Sequence, residues 1–215
     1  MLDAPDLGPT VAGQHIDIRL TAEDGYTAQR SYSLASGTGA ERIEVTVERF
    51  EDGEVSPYLV EDLGVGDPLE VRGPIGGWFV WRREQTEPIQ LIAGGSGIVP
   101  LMAMIRTHAA VGSAAPFRLL YGVQDPSRIY YRDELARLTG PALAVDLRYS
   151  RRAPVGSPVG RIGAADLASA TVPPAEAPTV YVCGPTGFVE AIADGLLALG
   201  HAPERIRTER FGPTG

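Results

Sequence analysis

Residues able to do chemistry concentrate in a few short stretches. RSYSLAS, residues 30–36, sets an arginine two positions from a tyrosine. On an extended strand such residues share a face. A cation beside a flat aromatic ring, Arg30 beside Tyr32, suits a ligand that joins a phosphate to a planar ring system. It equally suits plain barrel surface, with the arginine solvated and the tyrosine half-buried. AGGSGIVPL, residues 93–101, is a glycine turn directly after the apolar run PIQLI and directly before a helical pattern. There a phosphate can approach backbone N–H groups, and the helix start adds a partial positive charge. The turn is neither G-x-G-x-x-G nor, without a following lysine, a P-loop, and a purely structural turn has the same composition. CGPTG, residues 183–187, repeats the arrangement after a second strand pattern. GEVS, residues 53–56, offers a further helix start, and YSRR, residues 149–152, gathers positive charge at a strand end. Ligands of parallel sheets collect at the carboxyl ends of strands, where both glycine turns fall. Two phosphate-bearing ligands, one in each half of the chain, account for the whole set.

Composition narrows the chemistry further. A chain of 215 residues with 44% hydrophobic and 21% charged content has the make-up of a soluble globular protein large enough for one large domain or two small ones. Its formal charge of −8 argues against nucleic acid or an anionic membrane as the main partner. No apolar run approaches the ~20 residues of a membrane span, and no basic-then-apolar leader opens the sequence, so the expected location is cytoplasmic. Cys183 is the single cysteine. It cannot form an intrachain disulfide, and an iron–sulfur cluster held wholly by this chain is excluded because such clusters take about four cysteines. His15, His108 and His201 lie far apart and lack metal-ligand spacing. Redox chemistry here would need an organic cofactor.

The elements that must hold these residues change character midway. Residues 13 to 82 read as β-structure: QHIDIRL alternates Ile16, Ile18 and Leu20 with polar neighbours, and RIEVTVERF alternates Ile43, Val45 and Val47. Glycine-bearing turns separate these runs, the pattern of an antiparallel barrel or sandwich. In SPYLVEDL, Ser56 as N-cap and Pro57 as first helical residue predict a short inserted helix. From residue 88 the compact strand patterns PIQLIA, FRLLYG, ALAVDLRYS and TVYVCG alternate with the helical stretches VPLMAMIRTHAAV, SRIYYRDELARL and GFVEAIADGLLALG. Strands alternating with helices predict βαβ units and a parallel sheet. The polar segment RREQTEP marks the boundary, giving a β-barrel domain over 1–86 and an α/β domain over 87–215.

RSYS, GEVS, GPIGG, AGGSGIVPL and YVCGPTG occur in an order and at a spacing that resemble the ferredoxin–NADP reductase family, from about residue 11 to the C-terminus. That resemblance implies a flavin-binding barrel followed by a nicotinamide-nucleotide domain. It implies that Arg30 binds the flavin phosphate, that Tyr32 packs on the isoalloxazine and that Ser33 lies near flavin N5. An ideal strand points Ser33 away from its two neighbours, so either the chain twists there or Leu34, Ala35 and Ser36 contribute backbone contacts. Gly53, Val55 and Ser56 match the pyrophosphate segment of FAD-using members, which favours FAD over FMN. Gly94, Gly95, Ser96 and Gly97 would lie closest to the dinucleotide pyrophosphate. Cys183, with Gly184 and Pro185 after it, resembles the cysteine beside the nicotinamide; a free cysteine at a strand end is also a common small buried hydrophobe. TERFGPTG resembles the family's closing acidic–x–aromatic segment, which makes Glu209 a proton conduit and Phe211 a cover for the flavin or its adenosine, although four residues follow the aromatic here. Ser150 and Arg151 resemble the serine–arginine pair that receives the 2′-phosphate, and Arg161 a second such arginine, so NADPH is favoured over NADH.

The implied activity is a flavin-dependent oxidoreductase that takes a hydride from NADPH and passes electrons singly to a ferredoxin, a flavodoxin, or the metal centre of a partner oxygenase or molybdenum enzyme. Two rivals share the motifs: an NADH-linked reductase subunit of a multicomponent oxygenase, and a truncated nucleotide-binding module without a working flavin site. Family members carry a further β-strand ahead of the segment that begins here as LDAPDLGPTVAGQH. A barrel without it would leave two unpaired edges, and weak flavin retention is the expected consequence.

Overall fold

The computed structural model describes residues 1–212. In the N-terminal half, the period-two pattern of QHIDIRL forms β1 (His15–Thr21), with Ile16 and Ile18 fully buried. β1 turns through Asp24 and Gly25 into antiparallel β2 (Thr27–Ser33), where Ile16 lies opposite Tyr32 and Ile18 opposite Arg30. β3 (Glu70–Ile75) pairs with the other edge of β1, so the sheet order is β2-β1-β3.

RIEVTVERF departs from expectation. It forms only two isolated bridges, Ile43 with Leu2 and Val45 with Leu34. Its alternation is real, but a strand needs a neighbour to complete its ladder, and residues 46–50 have none among the described residues. The outer edge of β3 likewise lacks a strand partner there. SPYLVEDL forms a helical turn, Tyr58–Asp62, but Ser56 does not cap it. The Ser56 hydroxyl turns back and accepts the Phe50 N–H at 3.1 Å, closing the preceding loop instead.

The C-terminal half is a five-stranded parallel sheet of order β6-β5-β4-β7-β8. β4 (Ile89–Gly94), β5 (Phe117–Val123), β6 (Leu143–Tyr149) and β7 (Thr179–Pro185) coincide with the compact apolar patterns; the central β4, β5 and β7 are covered on both faces and need not alternate, while β6 is a part-buried edge. On one face α1 (Ile98–Val111) sets Leu101, Met102 and Ile105 against Phe117 and Tyr181. On the other, α4 (Thr186–Ala198) lays its stripe of Val189, Ile192 and Leu196 over Ile92, Leu120 and Val182. Two shorter helices, α2 (Arg132–Leu138) and α3 (Ala164–Ala170), complete the layers. The edge strand β8 (Ile206–Phe211) was not legible as a strand, since IRTERF is largely polar.

The halves are tied together. Phe79 and Trp81 belong to the core of the α/β half. Arg106 on α1 makes a bidentate pair with Glu134 of α2 at 2.7 and 2.8 Å, and reaches the other half through Glu44 at 2.9 Å and the Ala35 carbonyl at 2.8 Å. Thr107 accepts the Thr38 N–H at 2.8 Å, and the Tyr131 and Thr46 hydroxyls meet. Among the described residues, no helix is long and apolar enough to cross a membrane.

Candidate active site

A parallel sheet delivers the carboxyl ends of its strands to one edge, and the two glycine turns meet there. β4 and β7 are neighbours, with Ala93 opposite Cys183. The glycines divide into two kinds. A Cβ on Gly94 would come within 2.8 Å of the Phe188 ring, and one on Gly184 within 2.7 Å of it; a Cβ on Gly97 would overlap the Cys183 carbonyl. These three are glycine because the turns pack against each other. Gly95 differs: its φ is +56° and nothing lies within 4 Å of its missing Cβ. It is the open position of the turn, followed by Ser96 and the start of α1, so it presents backbone to an incoming phosphate.

β7 and β8 bring the next two groups together. Cys183 lies opposite Glu209, and Pro185 opposite Phe211. The Ser33 hydroxyl at the end of β2 donates to Glu209 Oε1 at 3.2 Å. Residues from both halves therefore converge at one point, and Ser33 faces the α/β half as its position beyond Tyr32 requires. Burial pushes the Glu209 carboxyl up to about 7, against the smaller opposing effect of the hydrogen bond from Ser33. Cys183 is 1% exposed, and burial, then the neighbouring carboxylate, holds its thiol well above the ordinary range. Its surroundings therefore favour the neutral thiol. Phe211 is half-buried against the α/β core. Residues 213–215, which bear on how the tail after Phe211 is placed, lie outside the described residues.

On the β side, Tyr32 packs half-buried beside the small core of Ile16, Ile18 and Leu34, while Arg30 is exposed. Leu34 is fully buried and its N–H donates to the Gln14 carbonyl at 2.9 Å. Ser36 is buried and accepts the Glu44 N–H at 3.3 Å. Side chains of the 53–56 loop are likewise used internally: Val55 is fully buried, and a Cβ on Gly53 would meet Ser56 Oγ at 2.8 Å. That loop can offer a ligand only its backbone and Glu54. Glu54 escaped the sequence reading. One of its oxygens pairs with Arg30 at 2.7 Å and the other accepts the Tyr26 hydroxyl.

At the end of β6, the Ser150 N–H donates to the Val123 carbonyl at 2.9 Å and its hydroxyl points to the same oxygen at 3.3 Å. Arg151 and Arg161 are exposed and in no ion pair among the described residues. Arg152 pairs with Asp125 at 3.2 Å, joining the loops after β5 and β6. Asp125 also went unread, although its position in QDPS signals an Asx turn; it accepts the Ser127 N–H at 2.9 Å.

The donor set fits a flavin and a nicotinamide dinucleotide: an exposed arginine beside a half-buried ring, an open glycine turn at a helix start, and unpaired arginines at the next strand end. Two open hollows lie among the described residues. One of about 710 Å³, lined by Leu20, Tyr26, Glu54, Tyr58 and Leu69, adjoins Arg30 through its partner Glu54. The other, about 330 Å³, lies beside Arg83 and Val111.

Residues 6–80 match the oxidoreductase FAD-binding domain and residues 91–194 the oxidoreductase NAD-binding domain. The chain is 34% identical over 214 residues to a flavohemoprotein of Deinococcus radiodurans, covering 94% of this chain and 51% of that protein. It is 30% identical over 206 residues to the ferredoxin–NAD(P)(+) reductase component of naphthalene 1,2-dioxygenase/salicylate 5-hydroxylase systems of a Ralstonia species, covering 94% of this chain and 61% of the relative. The chain thus spans about half to three-fifths of the curated relatives it matches. The crystal structure of the FAD/NAD-binding domain of nitric oxide dioxygenase from Vibrio cholerae superposes with a TM-score of 0.86 at 29% identity, covering 96% of this chain and 87% of that one.

Proposed function

The chain belongs to the ferredoxin reductase-like family of FAD- and NAD-binding oxidoreductases, and from that premise we propose that it oxidises NADPH and passes electrons to a protein acceptor. Flavin supplies the chemistry when bound, accepting a hydride and releasing electrons one at a time. The observation that carries this reading is the convergence of Ser33, Cys183 and Glu209 from two separately built halves.

Each residue has a definable task. Arg30 would neutralise the flavin phosphate, with Tyr32 lying along the ring. The backbone at Gly95 and Ser96 would take the dinucleotide pyrophosphate. Cys183, small and uncharged, would orient the nicotinamide by contact. Glu209, with its carboxyl poised near neutrality, would hold or release a proton at the oxygen it shares with Ser33. Ser150, Arg151 and Arg161 would receive the 2′-phosphate, and the free guanidinium groups suit that dianion. The relatives' names support an oxygenase or a small electron carrier as acceptor.

A second reading takes NADH as donor. Asp125 favours it, because an acidic group at a strand end can bind an unphosphorylated ribose. Steady-state dye reduction by FAD-loaded protein decides between them. In Arg151→Ala, KM for NADPH is expected to rise about tenfold or more while that for NADH stays near its original value. Equal effects on both donors would favour the NADH reading. Absence of FAD-dependent turnover with either would refute the enzyme.

A further inference from the structure

Arg30 is the residue to which the proposed function gives the flavin phosphate, yet it already holds an anion. Its Nη2 donates to Glu54 Oε2 at 2.7 Å, and its Nη1 to the Gln29 carbonyl at 2.7 Å. Glu54 is no casual neighbour. Its second oxygen accepts the Tyr26 hydroxyl, so the turn before β2 and the 53–56 loop are joined through one carboxylate. Those two hydrogen bonds, Tyr26 first and Arg30 after it, hold the Glu54 carboxyl below its ordinary range, and it is ionised at neutral pH.

We infer that Glu54 is an intramolecular competitor for the flavin phosphate, occupying the guanidinium face of Arg30 until flavin displaces it. This rests on the flavin reading above and assigns that site a built-in counter-anion. Glu54 engages one arm of the Arg30 guanidinium and the Gln29 carbonyl the other, so a phosphate approaching the fork competes with the carboxylate for Nη2. If the carboxylate stays nearby after displacement, two like charges face each other across a few ångströms. The pair is solvent-exposed, at 54% for Arg30 and 43% for Glu54, and exposed pairs are weak. The competition is therefore reversible: it lowers flavin affinity without abolishing it. The position is specific to the loop as well. Gly53 closes the turn and Val55 and Ser56 are buried, so within GEVS only residue 54 presents an exposed side chain.

The test is equilibrium titration of the apoprotein at low salt, followed by flavin fluorescence and visible absorption, with FAD and with riboflavin, which lacks the phosphate. Glu54→Gln is expected to bind FAD roughly fivefold tighter than the parent, the scale of one exposed ion pair, and riboflavin equally well. Arg30→Ala should weaken FAD binding, and adding Glu54→Gln to it should bring no further gain. Unchanged or weaker FAD binding by folded Glu54→Gln, or an equal gain for riboflavin, would overturn the competitor role while leaving the flavin reading intact. Failure of the parent and both variants to perturb the FAD spectrum would remove the flavin reading and this inference together.

Discussion

In the α/β half, the turns at 94–97 and 183–187 rest on strands buried on both faces, and three of their glycines are set by contact with Phe188 and Cys183. In the β half, Arg30 on the three-stranded sheet, Tyr26 in the turn before β2 and Glu54 in the 53–56 loop stand exposed, and residues 46–50 lack a ladder partner among the described residues. On the proposed function, one ligand site is shaped by packing before any ligand arrives, and the other is a set of side chains that pair with each other and would exchange partners. Rigid packing supplies geometry without charge; exposed ion pairs supply charge without fixed geometry. Transfer between two cofactors needs the first to position and the second to capture, and the joint through Ser33 and Glu209 is where they meet.

The contrast can be broken at several points. The largest effect is expected from Gly97→Ala, whose new methyl overlaps the Cys183 carbonyl: about 3 kcal/mol or more of lost stability by urea denaturation. A cost below 1 kcal/mol would show that the turns are not locked by packing. Next comes Arg106→Ala, which leaves Glu44 and Glu134 part-buried without their cation and removes the tie to the Ala35 carbonyl. A loss of about 2 kcal/mol is expected, with the β half unfolding ahead of the α/β half. A single unshifted transition would mean that the halves do not depend on this link.

Glu209 gives an effect that appears only as pH is raised. Its carboxyl has an ordinary value of 4.5 and is raised to about 7 by burial. The stability tied to its neutral form is complete below pH 4.5 and is lost as pH climbs through 7. Glu209→Gln does not titrate. Its stability relative to the parent should therefore rise by about 3 kcal/mol between pH 4 and pH 8, and a flat difference would place the carboxyl in water. Smallest is Gly95→Ala, about 1 kcal/mol from the left-handed backbone alone, since the space above it is open. Its difference from Gly97→Ala measures how far the two glycines of one turn differ in purpose.

Much of the α/β half was legible because its strands and helices are continuous apolar blocks, and burial on both faces leaves such blocks little choice. IRTERF was not, because an edge strand can be polar and still pair along one side. RIEVTVERF misled in the opposite sense: alternation reports a sided surface and says nothing about whether a neighbour completes the ladder. Ser56 has a capping residue type at a capping position, yet its hydroxyl found the Phe50 N–H first. At the site, order and spacing of motifs pointed to Ser33, Cys183 and Glu209, which the fold brings together. Which glycine serves packing and which faces a ligand could not be read locally, since Gly97 is constrained by Cys183 from a distant strand. Glu54 and Asp125 were hidden for a related reason: acidic residues in loops are ordinary until an arginine is seen opposite them.

The most direct test is anaerobic visible spectroscopy of the apoprotein held with a small excess of FAD and titrated with NADPH, against a protein-free control. Bound-flavin bands that bleach in proportion to added NADPH are expected. A protein that acquires no such bands at saturating FAD, or whose bands survive excess NADPH and NADH alike, would contradict the proposed function.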